Sequence, residues 1–289
     1  MKIRAPAKIN LNLRVVGRRA DGYHLIDSIM VPVSLYDVID VRKQSGNSGR
    51  GAQAGDLIQI SCNHPDVPLG KENIVYRAAQ RIMEKAGKRE PVRIDINKRI
   101  PVGAGLGGGS TDAAATLLAM NRLLRLRLSR PALEKIALSL GADVPFFVRG
   151  CAARARGIGE RLQPLRRLPH FWAVIVFPGF PVSTSWVYGK LRSKLTKPMA
   201  NTSIANPPKN FDELANLLVN DLESVTLKRY PNVGLLKDKL LREGAARALM
   251  AGSGSSVFGI FKSQRAARAG FRRLRKEEGA QAFLVHRVG

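Results

Sequence analysis

The sequence predicts a two-domain α+β protein, on three observations. At 289 residues the chain passes the size at which one hydrophobic core usually stops growing. Its apolar residues change period several times, alternating in some stretches and following the helical repeat in others. Its 45% hydrophobic and 24% charged residues are those of a folded chain and argue against long disorder.

The elements follow in order. Residues 3–16 alternate, Ala20-Asp21-Gly22 supplies a turn, and residues 23–41 resume a strand pattern, so a hairpin is the simplest reading. Residues 45–55, SGNSGRGAQAG, form a flexible loop, and 57–62 a short strand. Ile74, Ala78, Ile82 and Ala86 mark a helix, with Asn73 as its N-cap and Gly87 as its stop. Val92, Ile94 and Ile96 alternate as a half-buried strand, which delivers Lys98, Arg99 and Ile100 to a glycine-rich stretch. The helix after it runs about to Leu126, a second covers 129–140, and Gly141-Ala142-Asp143-Val144-Pro145 breaks the pattern. Extended pieces at 151–155 and 162–165 complete a first domain, 1–162. In the second, 163–289, an apolar strand at 172–177 precedes Val182-Ser183-Thr184-Ser185, which opens a helix. A surface loop at 196–209 then leads to helices at 212–220 and 233–241. Strands at 248–250 and 257–261 flank a second small-residue turn, AGSGSS at 251–256, and a basic helix at 265–276 and a strand at 282–286 end the chain.

Charge narrows the choice of partners. The 48 Lys and Arg against 22 Asp and Glu give +26, which favours anions: nucleotides, phosphorylated metabolites, nucleic acid or membrane surfaces. The start, MKIRAPAKIN, lacks the apolar stretch of a secretory signal, and no run approaches the roughly 18 apolar residues of a membrane span, so a cytoplasmic location is expected. Cys62 and Cys151 give neither a disulfide framework nor a zinc pattern.

The stretch PVGAGLGGGSTDAA at 101–114 reads as a phosphate cradle. Its glycines permit backbone angles and close approaches that a Cβ would block, and Ser110, Thr111 or Asp112 can cap the helix that follows. Unpaired N–H groups and the positive dipole end of that helix would face an anion. Gly103 to Gly108 satisfies the loose GxGxxG pattern of dinucleotide folds. However, Lys98 to Pro101 intervenes after the strand, and no acid lies about 20 residues on. No Lys-Ser or Lys-Thr follows the last glycine, so the Walker pattern also fails. Lys8, Asn10 and Asn12 alternate with Ile9, Leu11 and Leu13, and composition alone makes the polar set a solvated face. Asp143, a carboxylate among apolar residues, reads equally as a turn residue or a functional acid. Tyr23 and Tyr188, in half-apolar surroundings, read on composition as core residues. The AGSGSS turn is on composition either a tight turn or a site where backbone comes close to a ligand.

Three motifs, APAKINLNL at 5–13, PVGAGLGGGSTDAA at 101–114 and LMAGSGSSVFGIF at 249–261, occur here in an order and spacing that resemble the GHMP kinases, the superfamily of galactokinase, homoserine kinase, mevalonate kinase and phosphomevalonate kinase. The resemblance covers essentially the whole chain. It implies a ribosomal protein S5 domain 2-like N-terminal domain and a ferredoxin-like C-terminal domain, with the active site in the cleft between them. The segment GRRADGYH at 17–24 resembles the branch that transfers the ATP γ-phosphoryl group to the 2-hydroxyl of a cytidine diphosphate-linked methylerythritol. By that likeness Asp143 is the acid that accepts the hydroxyl proton and Lys8 its partner. Tyr23 and His24 read the cytosine, Tyr188 supplies an opposing aromatic face, and Asn10 and Thr184 contact the acceptor. Asn73 and Lys98 lie near adenine and its sugar. Pro101, Val102, Gly103, Ala104, Gly105, Leu106, Gly107, Gly108, Gly109, Ser110 and Thr111 wrap the phosphates. ATP with Mg²⁺ is the expected phosphoryl donor, with no tightly bound cofactor. Related kinases often carry Asn where this chain has Asp112, and a carboxylate there would repel ATP unless a metal or a basic residue screens it. Metal ligands are left unassigned: Ser110 or Asp112 could hold the ion, directly or through water, and either reads equally as a helix cap.

The rival readings are another small-molecule kinase of the superfamily and a nucleic-acid-binding protein. The second is prompted by the net charge and by the basic stretches 122–130 and 265–276. Those stretches have apolar residues between their charges, as amphipathic helices do, and lack the interleaved aromatics of a single-strand platform.

Overall fold

The computed structural model describes residues 1–44, 57–191, 207–276 and 279–289. The loop expected at 45–55 and most of that expected at 196–209 lie outside the described residues. Cα packing groups the chain into two compact units. One contains Met1–Ala7, Tyr36–Val102 and Gly107–Gly150, and the other Lys8–Leu35, Gly103–Leu106 and Cys151–Gly289.

The first unit holds the start of β1 (Lys2–Arg18), the end of β2 (His24–Lys43), β3 (Ile58–Cys62), α1 (Ile74–Ala86), β4 (Val92–Asn97), α2 (Gly108–Leu123), α3 (Arg130–Leu138) and α4 (Val144–Arg149). β4 runs parallel to β3 and antiparallel to β2, with Ile94 opposite Ile60 on one side and Ile96 opposite Ile39 on the other. Its alternation buries Val92, Ile94 and Ile96. α1 starts where Asn73 Oδ1 accepts the Val75 N–H at 2.8 Å and stops at Gly87, whose φ of 60° is left-handed. α2 is apolar almost all round: Ala113, Ala114, Ala115, Leu117, Ala119 and Met120 are buried, and the alanines let α1 and α4 pack closely on it. It ends three residues before the expected Leu126. The Asn121 side chain bonds both backbone groups of Leu128, at 3.0 and 3.1 Å, and the intervening Arg125 and Arg127 turn left-handed. The break expected at 141–145 is shorter than the sequence suggests. Val144 opens α4, and Pro145 sits in its first turn, where no N–H is needed.

The second unit holds the rest of β1 and β2, with β5 (Ala153–Gly157), β6 (Arg161–Pro164), β7 (Trp172–Phe177), α5 (Thr184–Lys190), α6 (Phe211–Asn216), β8 (Val219–Asn220), α7 (Glu223–Arg229), α8 (Pro231–Arg242), β9 (Arg247–Met250), β10 (Val257–Phe261), α9 (Gln264–Leu274) and β11 (Gln281–His286). β1 lies between β2 and the two-residue β8, while β2 pairs with β5 and β5 with β6. The helix expected over 212–220 is therefore cut to α6, because Val219 and Asn220 are captured as strand by Asn12 and Leu13. The other four strands form an antiparallel sheet in the order β11-β7-β10-β9. With α8 before β9 and α9 before β11, this is the ferredoxin-like arrangement. α8 and α9 pack on that sheet, around a core that includes Val174, Val176, Leu240, Val257, Phe261 and Leu274. The arginines of α9 lie outward and Ala267, Gly270 and Leu274 inward, the amphipathic face its sequence predicts. No helix among the described residues is long and apolar enough to cross a membrane.

Candidate active site

The glycine stretch begins with a held backbone. Asp37, fully buried on β2, accepts the N–H groups of Arg99 at 2.6 Å and Ile100 at 2.8 Å through Oδ1. Its Oδ2 accepts the Lys98 ammonium at 2.5 Å, and the same ammonium bonds Asp112 Oδ2 at 2.8 Å. α2 begins at Gly108, earlier than the sequence suggests, with Gly107 as its N-cap at a φ of 75° and no side-chain cap. Ser110, Thr111 and Asp112 thus lie inside the helix, and none of them caps it. The Thr111 hydroxyl and Asp112 Oδ1 are buried without a hydrogen-bond partner. Burial pushes the Asp112 carboxyl up to about 8; Lys98 opposes that and Asp37 reinforces it. Burial lowers Lys98, but Asp112 and Asp37 together outweigh it and leave the ammonium above its ordinary value.

In the second unit, residues 103–106 pack against the AGSGSS turn. A Cβ on Gly105 would lie 2.0 Å from the Ala251 carbonyl oxygen, so only glycine permits this approach. The Ser256 N–H donates to Ala104 O at 3.3 Å and the Val182 N–H to Gly103 O at 3.1 Å. The Lys8 N–H donates to Leu106 O at 2.9 Å, and Lys8 Nζ lies 3.4 Å from where a Gly252 Cβ would stand. Lys8, Asn10 and Asn12 are buried, not a solvated face. Lys8 and Asn10 join a chain in which Lys8 Nζ donates to Asn10 Oδ1 at 2.7 Å, Asn10 Nδ2 to Ser28 Oγ at 2.8 Å, and Ser28 Oγ to the Asn12 backbone carbonyl at 2.5 Å, while Asn12 Oδ1 is buried with no partner among the described residues.

The aromatic residues of this unit form a second group. Tyr23 is 61% exposed, which overturns the composition-based core reading for it, and Tyr188 is half-buried. The His24 and Tyr188 rings stand 5.1 Å apart at 33°. Burial, and then Arg18, lower the His24 pKa, so its ring is neutral at pH 7. Thr184 Oγ1 and Ser253 Oγ lie 2.8 Å apart at the start of α5. In the first unit, Asp143 is half-buried at the N-cap position of α4, where its side chain makes no cap hydrogen bond. Asn73 uses its side-chain oxygen as a cap and donates its Nδ2 to Pro68 O at 2.5 Å.

Residues 73–151 match the model of the GHMP kinases N-terminal domain, and 200–281 that of the GHMP kinases C-terminal domain. Proteins named 4-diphosphocytidyl-2-C-methyl-D-erythritol kinase are 47% identical in Syntrophotalea carbinolica, over 98% of each chain, and 45% identical in Citrifermentans bemidjiense, over 100% of this chain and 99% of that one. The chain belongs to the 4-diphosphocytidyl-2-C-methyl-D-erythritol kinase family of the GHMP kinases. A crystal structure of 4-(cytidine 5'-diphospho)-2C-methyl-D-erythritol kinase superposes over all of both chains with a TM-score of 0.82 and 37% identity. The mevalonate kinase of Methanococcus jannaschii, at 15% identity and a TM-score of 0.74, shares the fold.

The structure supplies the screen that a carboxylate at Asp112 requires: the basic residue is Lys98. Three positions escaped the sequence reading. Asp37 sits inside an apolar strand, where a fully buried acid needs several donors; such a residue in the middle of a strand pattern is the signal that was available. Asn220 donates to Met250 O at 2.9 Å and Gly252 O at 2.7 Å, and Thr226 Oγ1 donates to Ser253 O at 3.1 Å. These two shape the second glycine turn from an asparagine that the sequence placed in a helix and a threonine that it left unassigned.

Proposed function

We infer that the chain catalyses ATP-dependent phosphorylation of 4-diphosphocytidyl-2-C-methyl-D-erythritol at its 2-hydroxyl, a step of the non-mevalonate route to isoprenoid precursors. One geometric observation carries the phosphoryl-transfer half of this reading. A loop with left-handed glycines at Gly103, Gly105 and Gly107 leads into α2, whose first-turn N–H groups no side chain caps. Phosphate oxygens supply the acceptors those donors lack. Family membership supplies the acceptor.

In the proposed step the hydroxyl oxygen attacks the γ-phosphorus, its proton passes to Asp143, and the bond from that phosphorus to the β,γ-bridging oxygen breaks to release ADP. Lys8 contributes positive charge as negative charge spreads over the transferring group. Asn73 and residues 101–111 take ATP, with Lys98 supporting them from beneath the loop; Asn10, Tyr23, His24, Thr184 and Tyr188 take the acceptor. The His24–Tyr188 ring pair supports an aromatic base as part of that acceptor. Mg²⁺ accompanies the nucleotide on its phosphate oxygens. A division of labour between 1–162 and 163–289, and a cytoplasmic location, belong to the same proposal. The test is ATP consumption across a panel of the cytidylated methylerythritol, mevalonate, homoserine and galactose. Turnover is expected with the first alone, and preference for any other would overturn the assignment of the acceptor.

A further inference from the structure

We propose that Lys98, shared between Asp37 and Asp112, is a positioning residue that ties together the two ends of the phosphate loop. The proposal rests on the kinase reading above. Asp37 fixes the incoming end, since its Oδ1 takes two consecutive backbone N–H groups, those of Arg99 and Ile100. Asp112 marks the outgoing end, in the second turn of α2. Lys98 Nζ joins them at 2.5 and 2.8 Å, and a Cβ on Gly108 would meet that nitrogen at 3.0 Å. The ammonium therefore lies directly beneath the first turn of α2.

An ammonium at a helix N-terminus opposes the helix dipole, so this lysine is stable there only because of its two carboxylates. All three side chains are nearly inaccessible, and the ammonium spends two of its three donors inside the cluster. It acts on the nucleotide through the loop it braces.

Two carboxylates against one ammonium would leave a buried net negative charge beside the phosphates, which is costly in the interior. Hydrogen bonding shows where one proton removes that charge. Asp37 accepts three bonds, all from N–H donors. Asp112 accepts one, and its Oδ1 has no partner, so the proton sits there. The rise of Asp112 to about 8 agrees. The charged and titratable groups bearing on it are Asp37 on β2 and Lys98 after β4, with Cys62 at the end of β3 sensing all three. A neutral Asp112 is the electrical equivalent of an asparagine.

The experiment measures the ATP and acceptor KM values separately, across pH, for the unmodified enzyme, Lys98→Met and Asp112→Asn. Lys98→Met should raise the ATP KM by about tenfold or more, as loss of a charged hydrogen bond implies, and leave the acceptor KM unmoved. The ATP KM of the unmodified enzyme should rise between about pH 7 and about pH 9 as Asp112 loses its proton, and that rise should vanish in Asp112→Asn. A purely structural ion pair would lower thermal stability without this split between the two KM values. Equal effects on both KM values, or an alkaline rise that survives in Asp112→Asn, would overturn the proposal. Should Lys98→Met fail to fold, the pH comparison with Asp112→Asn decides alone. An unmodified enzyme without turnover would instead count against the kinase reading.

Discussion

Replacing Gly105 by alanine tests the packing of the phosphate loop on the second glycine turn. At a φ of 78° a residue with a Cβ loses about 1–2 kcal/mol in backbone strain. The added carbon would also stand 2.0 Å from the Ala251 carbonyl oxygen and 3.0 Å from the Gly254 carbonyl oxygen. Both obstacles are main chain, so no side chain can swing aside, and overpacking of this kind costs about 1–3 kcal/mol. The expected loss is the sum, about 2–5 kcal/mol, or a fall in Tm of about 4–20 °C at the usual 2–4 °C per kcal/mol. Gly109→Ala is the internal control from the same stretch. A Cβ there meets nothing nearer than 3.7 Å, Gly109 lies in α2 at an ordinary helical φ, and alanine should be neutral or stabilising by about 0.5–1 kcal/mol. Thermal denaturation of the nucleotide-free protein reads both variants. Equal Tm values for the two would refute the close approach of Gly105 to the Ala251 carbonyl.

Asp143→Asn should lower kcat by about 10²–10⁴-fold, the usual worth of a general base, with ATP affinity by calorimetry little changed; full activity would remove Asp143 from the proposed step. Tyr23→Ala should raise the KM of the cytidylated acceptor by about tenfold, as loss of one base–aromatic stack implies. An unchanged value would count against stacking on this exposed ring. Burial lowers the pKa of both His24 and His286, with Arg18 reinforcing the first and His170 the second. Their folded-state values then lie below the unfolded one, so the stability they contribute is complete above about pH 6.5 and is lost as pH falls through the folded values. Tm should therefore drop on acidification below about pH 6.5, and less so in His286→Asn; identical pH dependence in the two proteins would show that the ring beside Ser34 Oγ, 3.0 Å away, is not responsible.

Local chemistry was legible in the sequence wherever a short segment decides its own structure. Asn73 and Gly87 bound α1 because a cap and a left-handed stop need only their immediate neighbours. β4 could be read from alternation alone. Residues whose partners lie far along the chain were read wrongly. Ser110 and Asp112 look like caps, yet glycine opens α2, and Lys98, fourteen residues before Asp112, claims the carboxylate. Lys8 and Asn10 look solvated because Ser28, which accepts from Asn10 and carries their chain of bonds on, belongs to the next strand. Val219 and Asn220 continue a helical pattern until β1, some two hundred residues earlier, captures them. In each case a tertiary contact overrides local preference.

Asn220 sets a substitution rule for the whole turn at 251–256. Its Nδ2 holds two carbonyls, Met250 O and Gly252 O, while its Oδ1 accepts the Leu222 N–H at 3.0 Å. Aspartate would turn a charged acceptor toward two carbonyl oxygens, leucine would strand three buried polar groups, and glutamine would overshoot by a methylene. The shape of a six-residue turn thus depends on one amide of one length. Among sequence variants of this kinase, retention of asparagine at this position is a physical criterion for an intact second glycine turn.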